Sequence, residues 1–160
     1  MRRPRVLFVL KHREIPYGHS WGDALPYAEQ ALHSGLFNSA RFVNDMLRDM
    51  GYDSHIVHVI DNNQIHKEIV KHKATHVIIE GYWVTPEKFD VLYDVCPNVL
   101  FTIRNHSEVP FLANEGMAFD WTLKYLERPN VYVSCNSQRM VKDARELLRI
   151  KYPWLNREQL

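Results

Sequence analysis

The chain has 160 residues, the size of one ordinary domain. Hydrophobic residues make up 46% of it and charged residues 24%, so its composition excludes a disordered, collagenous or low-complexity chain. Twenty basic side chains balance nineteen acidic ones, and the formal net charge of +1 provides no global field that would attract nucleic acid or an anionic membrane.

Apolar runs typical of buried strands alternate along the chain with segments in which apolar residues recur at helical spacing. The first run is 5–10. A long irregular segment rich in aromatic residues and histidine follows at 11–34, and residues 25–32 within it are a candidate short helix. Further strands are predicted at 54–60, 75–79, 99–103 and 131–135. Helices are predicted at 39–50, 63–73, from Pro86 onwards, at 110–127 and from the capping residue Ser137 to about 150.

This regular alternation predicts an α/β fold, in which a parallel sheet is covered by helices on both faces. We expect a single Rossmann-like, doubly wound domain over residues 1–150, with a mainly parallel sheet of about five or more strands. Residues 151–160 are interpreted as a C-terminal extension. Inside the 110–127 pattern, Gly116 indicates a helix break or a close contact, since an interior glycine costs about 1 kcal/mol.

Cysteine usage and hydropathy favour a cytoplasmic protein. Cys96 and Cys135 are the only cysteines, and both lie in apolar surroundings, so we expect no disulfide framework. The apolar run at 6–10 is too short for a signal peptide, and no stretch approaches the length of a membrane span. Because basic and acidic charges nearly cancel, a nucleic-acid partner is not expected.

Polar residues follow each predicted strand, and ligands of doubly wound sheets bind beyond the carboxyl ends of the strands. The sharpest cluster follows the fourth strand. Arg104 could hold a phosphate or carboxylate, and His106 could act as a base or a hydrogen-bond donor. The alternative is a turn in which Asn105 and Ser107 bond the backbone. The five strand exits are 11–13, 61–63, 80–83, 104–107 and 136–138.

Two other regions are candidate parts of a ligand pocket. Glu80 precedes Gly81, which allows a sharp turn or a close backbone approach, and Trp83 either lines the pocket or packs on the next helix. The long segment 11–34 contains His19 and Trp21, and loops of this length are commonly functional. Its aromatic residues suit stacking on sugar rings or bases, and the alternative is a flap packed on the sheet edge.

Several familiar signatures are missing from the sequence. It has no G-x-G-x-x-G after the first strand, no G-x-x-x-x-G-K-[ST] and no G-x-S-x-G, so dinucleotide-binding, P-loop and α/β-hydrolase functions are unsupported. His55 and His58 point to opposite faces of a strand, and His66, His72 and His76 lack Cys or carboxylate partners at ligand spacing, so we predict no metal site.

Four stretches together resemble the N-terminal half of a retaining glycosyltransferase with the GT-B fold. They are the first strand RVLFVL, the turn and helix GLFNSARFVNDMLRDMGYD, the strand exit TIRNHSEVPFLANEG and the later exit VSCNSQRMVKDARELL. The chain departs from the family pattern in having one glycine before its first helix where the family often has two, and in its insert at 11–34. Its 160 residues also lack the second, donor-binding domain with its paired acidic residues.

The resemblance implies that the chain helps transfer a sugar from a nucleotide sugar, acting as co-substrate, to an acceptor hydroxyl. It implies no cofactor and no metal, and it implies inactivity without a C-terminal donor-binding domain. His106 would be the catalytic histidine beside the transferred sugar. Donor and phosphate binding would involve Gly35, Arg104, Asn136 and Ser137. The acceptor would contact His12, His19, Trp21, Glu80 and Trp83. The alternative is a non-catalytic Rossmann-like module that binds a sugar, a nucleotide or a protein.

Overall fold

The computed structural model describes residues 3–12 and 35–154. Five strands lie in this part of the chain: β1 (Arg5–Lys11), β2 (Asp53–Val59), β3 (His76–Glu80), β4 (Leu100–Asn105) and β5 (Val131–Cys135). The helices are α1 (Gly35–Asp49), α2 (Ile65–His72), α3 (Lys88–Val95), α4 (Val109–Asn114), α5 (Ala118–Leu126) and α6 (Gln138–Lys151). A short 3₁₀ turn at Asn62–Gln64 precedes α2.

The strands form one all-parallel sheet in the order β2-β1-β3-β4-β5. The register sets Leu7 of β1 between His55 of β2 and Val77 of β3, and it sets Glu80 of β3 beside Arg104 of β4. The predicted α/β fold, with a parallel sheet flanked by helices, is therefore confirmed. The chain leaves β1 towards β2 on one side and reaches β3 on the other, so the strand order reverses between β1 and β3, the point at which doubly wound sheets bind ligands.

Apolar side chains of the interior strand β1 are buried on both faces of the sheet. Leu7 and Val9 belong to the larger core, which also takes in apolar side chains of α2, α3 and α5. Phe8 and Leu10 point to the opposite face, where they pack under α1. A strand covered on both sides needs apolar residues at every position, which explains the continuous run of β1.

The helix boundaries differ from the sequence prediction, most clearly at three places. The first helix begins at Gly35, four residues before the predicted start at 39. The helix α3 begins at Lys88, not at Pro86, because the residues before it form a turn in which the Lys88 N–H bonds to the Thr85 carbonyl at 3.0 Å. The predicted helix at 110–127 is divided into α4 and α5, and Gly116 has φ +57° between them, so the predicted break is confirmed.

None of the helices within residues 3–12 and 35–154 is both long enough and apolar enough to span a bilayer.

Candidate functional site

Predicted site residues from distant segments meet at the carboxyl edge of the sheet. Glu80 ends β3, Arg104 is its register partner near the end of β4, and His106 follows that strand. His12 follows the neighbouring strand β1. This edge is where doubly wound folds bind their ligands, so the topology brings these side chains to the expected place.

The carboxylate of Glu80 lies buried at the centre of this edge. Its Oε1 accepts a hydrogen bond from Nη1 of Arg104 at 2.7 Å, and its Oε2 lies 2.7 Å from Nε2 of His106. The side chain of Glu80 is 0% exposed, whereas those of Arg104 and His106 are 20% and 25% exposed. A charge so enclosed is tolerated only when it is paired, and here both oxygens have partners. We call these three residues the Glu80 cluster.

The Glu80 cluster is tied to α1 by a serine. Nη2 of Arg104 donates to Oγ of Ser39 at 2.9 Å, one turn after the start of that helix. The local sequence predicts Ser39 only as the start of a helix and not as part of a site. Its spacing carries a signal: it lies three residues after Leu36 and four before Val43, both of which pack on the sheet. A polar residue on such an apolar stripe needs a partner on the sheet.

The segment after β4 is both a turn and part of the site. Oδ1 of Asn105 accepts from the Ser107 N–H at 2.9 Å, and its Nδ2 donates to the Ser107 carbonyl at 3.1 Å. Because side chains alternate along an extended chain, Arg104 and His106 then share one side and reach the same carboxylate. The turn predicted as the alternative is therefore what orients the histidine.

Gly81 permits the turn that follows the buried carboxylate. Its φ is +81°, in the left-handed region that favours glycine, and its N–H bonds to the Arg104 carbonyl at 3.0 Å. The chain can thus leave β3 immediately after Glu80 while it still pairs with β4.

Asn136 and Ser137 hold the loop and the helix beside the cluster. Nδ2 of Asn136 donates to the His106 carbonyl at 3.1 Å, which links the exits of β4 and β5. Oγ of Ser137 accepts from the Met140 N–H at 3.1 Å, so it caps α6 as predicted, and it lies 3.4 Å from Oε1 of Glu108. Their donor-binding role stays a prediction.

Two further histidines, His12 and His58, lie at the ends of β1 and β2. The N–H of His12 bonds to the Val59 carbonyl at 2.7 Å, which extends the pairing of the two strands. The His58 ring lies 5.6 Å from that of Phe37, measured between centroids. Loss of solvent lowers the pKa of His58 from its usual 6.5, and the nearby charge of His12 lowers this pKa further.

The remaining predicted residues are placed less centrally. Trp83 packs, partly buried, against the larger core, and its buried Nε1 finds no hydrogen-bond partner within the described residues. Gly35 begins α1 with open space where a Cβ would lie. His19 and Trp21 fall outside the described residues, so their predicted acceptor contacts stay predictions.

The geometry limits which groups can touch a ligand. Glu80 is enclosed and both of its oxygens are occupied, and each terminal nitrogen of Arg104 already bonds a protein oxygen. His106 keeps a quarter of its side chain exposed, and its Nδ1 has no hydrogen-bond partner in the described part of the chain. It is the member of the cluster best placed to contact a ligand. In residues 3–12 and 35–154, no group of three or more His, Cys, Asp or Glu side chains could hold a metal ion.

Comparison of the chain with protein-family models, with curated proteins and with solved structures gives no match in any of the three. The interpretation of the site therefore depends on its own chemistry and on the sequence resemblance described above.

Proposed function

We propose that the chain is the acceptor-side half of a glycosyltransferase and that it helps transfer a sugar from a nucleotide sugar to an acceptor hydroxyl. One observation carries this proposal: the 2.7 Å contact of His106 with the buried carboxylate of Glu80 at the ligand edge of the sheet. His106 is the histidine that the resemblance sets beside the transferred sugar.

In this proposal the protein contributes position and charge to the transfer. The bond from the anomeric carbon to the nucleoside diphosphate breaks, and a bond to the acceptor oxygen forms. The acceptor proton departs with the diphosphate. Positioning of the two reactants and electrostatic stabilisation of the oxocarbenium-like centre between them lower the barrier. His106 binds the sugar. The first turn of α1 lies at the same edge, near Gly81, and a helix N-terminus favours phosphate charge.

An NMR titration with UDP-glucose, GDP-mannose and ADP-glucose tests the proposal. We expect one of the three nucleotide sugars to give saturable shifts at the amides of Gly35 and His106 and at the Trp83 indole. His106→Ala should weaken that binding, and His55→Ala, a histidine on the exposed edge strand β2, is the matched control. Absence of saturable shifts at millimolar nucleotide sugar contradicts a preformed donor site. Unchanged transfer by His106→Ala, in a preparation supplemented with a donor-binding domain, contradicts the catalytic role.

The enclosure of Glu80 favours a second candidate, a non-catalytic module that binds a sugar or nucleotide. A carboxylate with no exposed surface and two occupied oxygens cannot accept a proton from a ligand in this arrangement. The same titration separates the two functions when product formation is followed with it. Binding at His106 together with no transfer and no hydrolysis of the nucleotide sugar, even with a donor-binding domain supplied, supports the module.

A further inference from the structure

Glu80 was expected to contact the acceptor, and its geometry indicates a different role. We propose that Glu80 is a positioning residue that holds His106 as its Nε2-protonated tautomer, so that Nδ1 accepts a hydrogen bond from a ligand hydroxyl. The ligand half of this inference depends on the function proposed above. The tautomer half concerns the protein alone.

Glu80 acts only through its neighbours. Its side chain has no exposed surface, and its two oxygens are occupied by Arg104 and His106 at 2.7 Å each. A ligand would have to displace one of these partners to reach the carboxylate, which would leave a buried charge half paired. Displacement of this kind costs several kcal/mol in proteins, so contact with the acceptor is disfavoured.

The contact with Glu80 determines which nitrogen of the His106 imidazole carries the proton. A carboxylate is a hydrogen-bond acceptor only, and a neutral histidine has one donor nitrogen and one acceptor nitrogen. The nitrogen 2.7 Å from Oε2 of Glu80 is Nε2, so Nε2 carries the proton. The other nitrogen, Nδ1, is then an acceptor, and it has no partner among residues 3–12 and 35–154.

The carboxylate of Glu80 is itself held in place. Arg104 reaches Glu80 with Nη1 and Ser39 of α1 with Nη2, so one guanidinium joins two strands and a helix. The side chain of Asn136, which follows β5, holds the carbonyl of His106. The imidazole is therefore fixed both at its backbone and at Nε2, which is how outer partners orient a functional histidine.

The ligand class follows from the acceptor nitrogen. A sugar hydroxyl donates a hydrogen bond and matches Nδ1. A phosphate dianion or a carboxylate only accepts hydrogen bonds, so neither can bond to an unprotonated Nδ1. We therefore expect His106 to contact the sugar of a nucleotide sugar and not its diphosphate.

The tautomer is measured on protein labelled with ¹⁵N in the histidine rings, by long-range ¹H–¹⁵N correlation spectra at mildly alkaline pH. We expect His106 to be the Nε2-protonated tautomer in the wild-type chain. In Glu80→Gln the amide oxygen stays with Arg104, which can only donate, and the amide NH2 faces Nε2, so a shift towards the Nδ1-protonated tautomer is expected. Glu87→Gln, which alters an exposed carboxylate 3.8 Å from Lys124, is the matched control and should leave the His106 signals unchanged.

The decisive result needs only the wild-type chain, so it survives if Glu80→Gln fails to fold. A wild-type His106 protonated at Nδ1, or a folded Glu80→Gln protein with an unaltered tautomer, overturns the positioning role.

Binding of UDP-glucose and of UDP tests the ligand class. Glu80→Gln is expected to weaken UDP-glucose binding about tenfold, as outer-partner substitutions commonly do, and to leave UDP binding nearly unchanged. Equal losses for the two nucleotides would contradict contact between His106 and the sugar. A fixed Nε2 tautomer in a chain that binds neither nucleotide would refute the proposed function and leave the role of Glu80 intact.

Discussion

Replacing Arg104 by methionine removes the guanidinium while retaining much of the length of the side chain. It leaves the Glu80 carboxylate buried with only His106 as a partner, since Nη1 of Arg104 occupies Oε1 in the native chain. Breaking a buried ion pair from one side costs about 3–5 kcal/mol. Because Arg104 is itself 20% exposed and solvent can enter where it stood, we expect the lower end, about 3 kcal/mol.

The reverse substitution should cost less. Glu80→Gln leaves the charge on Arg104, which reaches solvent, and the amide oxygen can still accept one hydrogen bond. The loss is then one charge-assisted hydrogen bond, about 1.5–3 kcal/mol. In the double variant no unpaired charge is buried, so its destabilisation should be about 2 kcal/mol smaller than the sum of the two single effects.

Urea unfolding followed by tryptophan fluorescence and circular dichroism measures these free energies, and a thermal melt should place Arg104→Met about 6–12 °C below the wild type. Arg149→Met is the control. Its pair with Glu146 is at 2.8 Å, but both side chains are more than half exposed, so we expect less than about 1 kcal/mol. A cost below about 1 kcal/mol for Arg104→Met, or additive effects in the double variant, would refute the reasoning that Glu80 is a buried charge stabilised by its partners.

Three further predictions concern the edges of the site. Ser137→Ala should cost about 1 kcal/mol through loss of the cap on the Met140 N–H, Ser137→Asn should restore it without placing a second carboxylate beside Glu108, and urea unfolding that shows no difference would exclude capping. Gly81→Ala should cost about 1–2 kcal/mol, because its φ of +81° strains any Cβ although the nearest atom is 3.9 Å away; an unchanged melting temperature would contradict this. NMR titration of the ring protons should give His58 a pKa below 6.5 that rises in His12→Gln; a wild-type pKa at or above 6.5 would contradict the desolvation argument. Since the folded-state pKa is lowered, the contribution of His58 to stability is complete above about pH 6.5 and is lost as the pH falls through the folded-state value.

The sequence alone was sufficient for the fold class because each element carries a local signal. The run from Val6 to Leu10 is apolar at every position, and the structure buries all of these residues. Parallel strands covered on both faces require this pattern, so it identifies the sheet without any tertiary information. The break at Gly116 was also visible, because a glycine inside a helical pattern has a known energetic cost.

The composition of the cluster needed the strand order as well as the sequence. Glu80, Arg104 and His106 were each predicted as candidate site residues, because each lies where an apolar run ends. The position of Arg104 after a strand predicted contact with a phosphate or carboxylate, and the resemblance implied an acceptor contact for Glu80, because an isolated polar residue shows no partner. Only the neighbouring register of β3 and β4 shows that the two charges satisfy each other.

The same distinction explains Ser39 and Ser137. Capping depends on residues three positions apart, so the role of Ser137 at the start of α6 could be predicted from sequence. The bond from Arg104 to Ser39 joins residues 65 positions apart, and it exists only because α1 packs on the sheet with its first turn near the end of β4. Periodicity and capping are local and are therefore written in the sequence. Which buried charge meets which partner depends on how the strands are ordered, and the tertiary structure alone decides that.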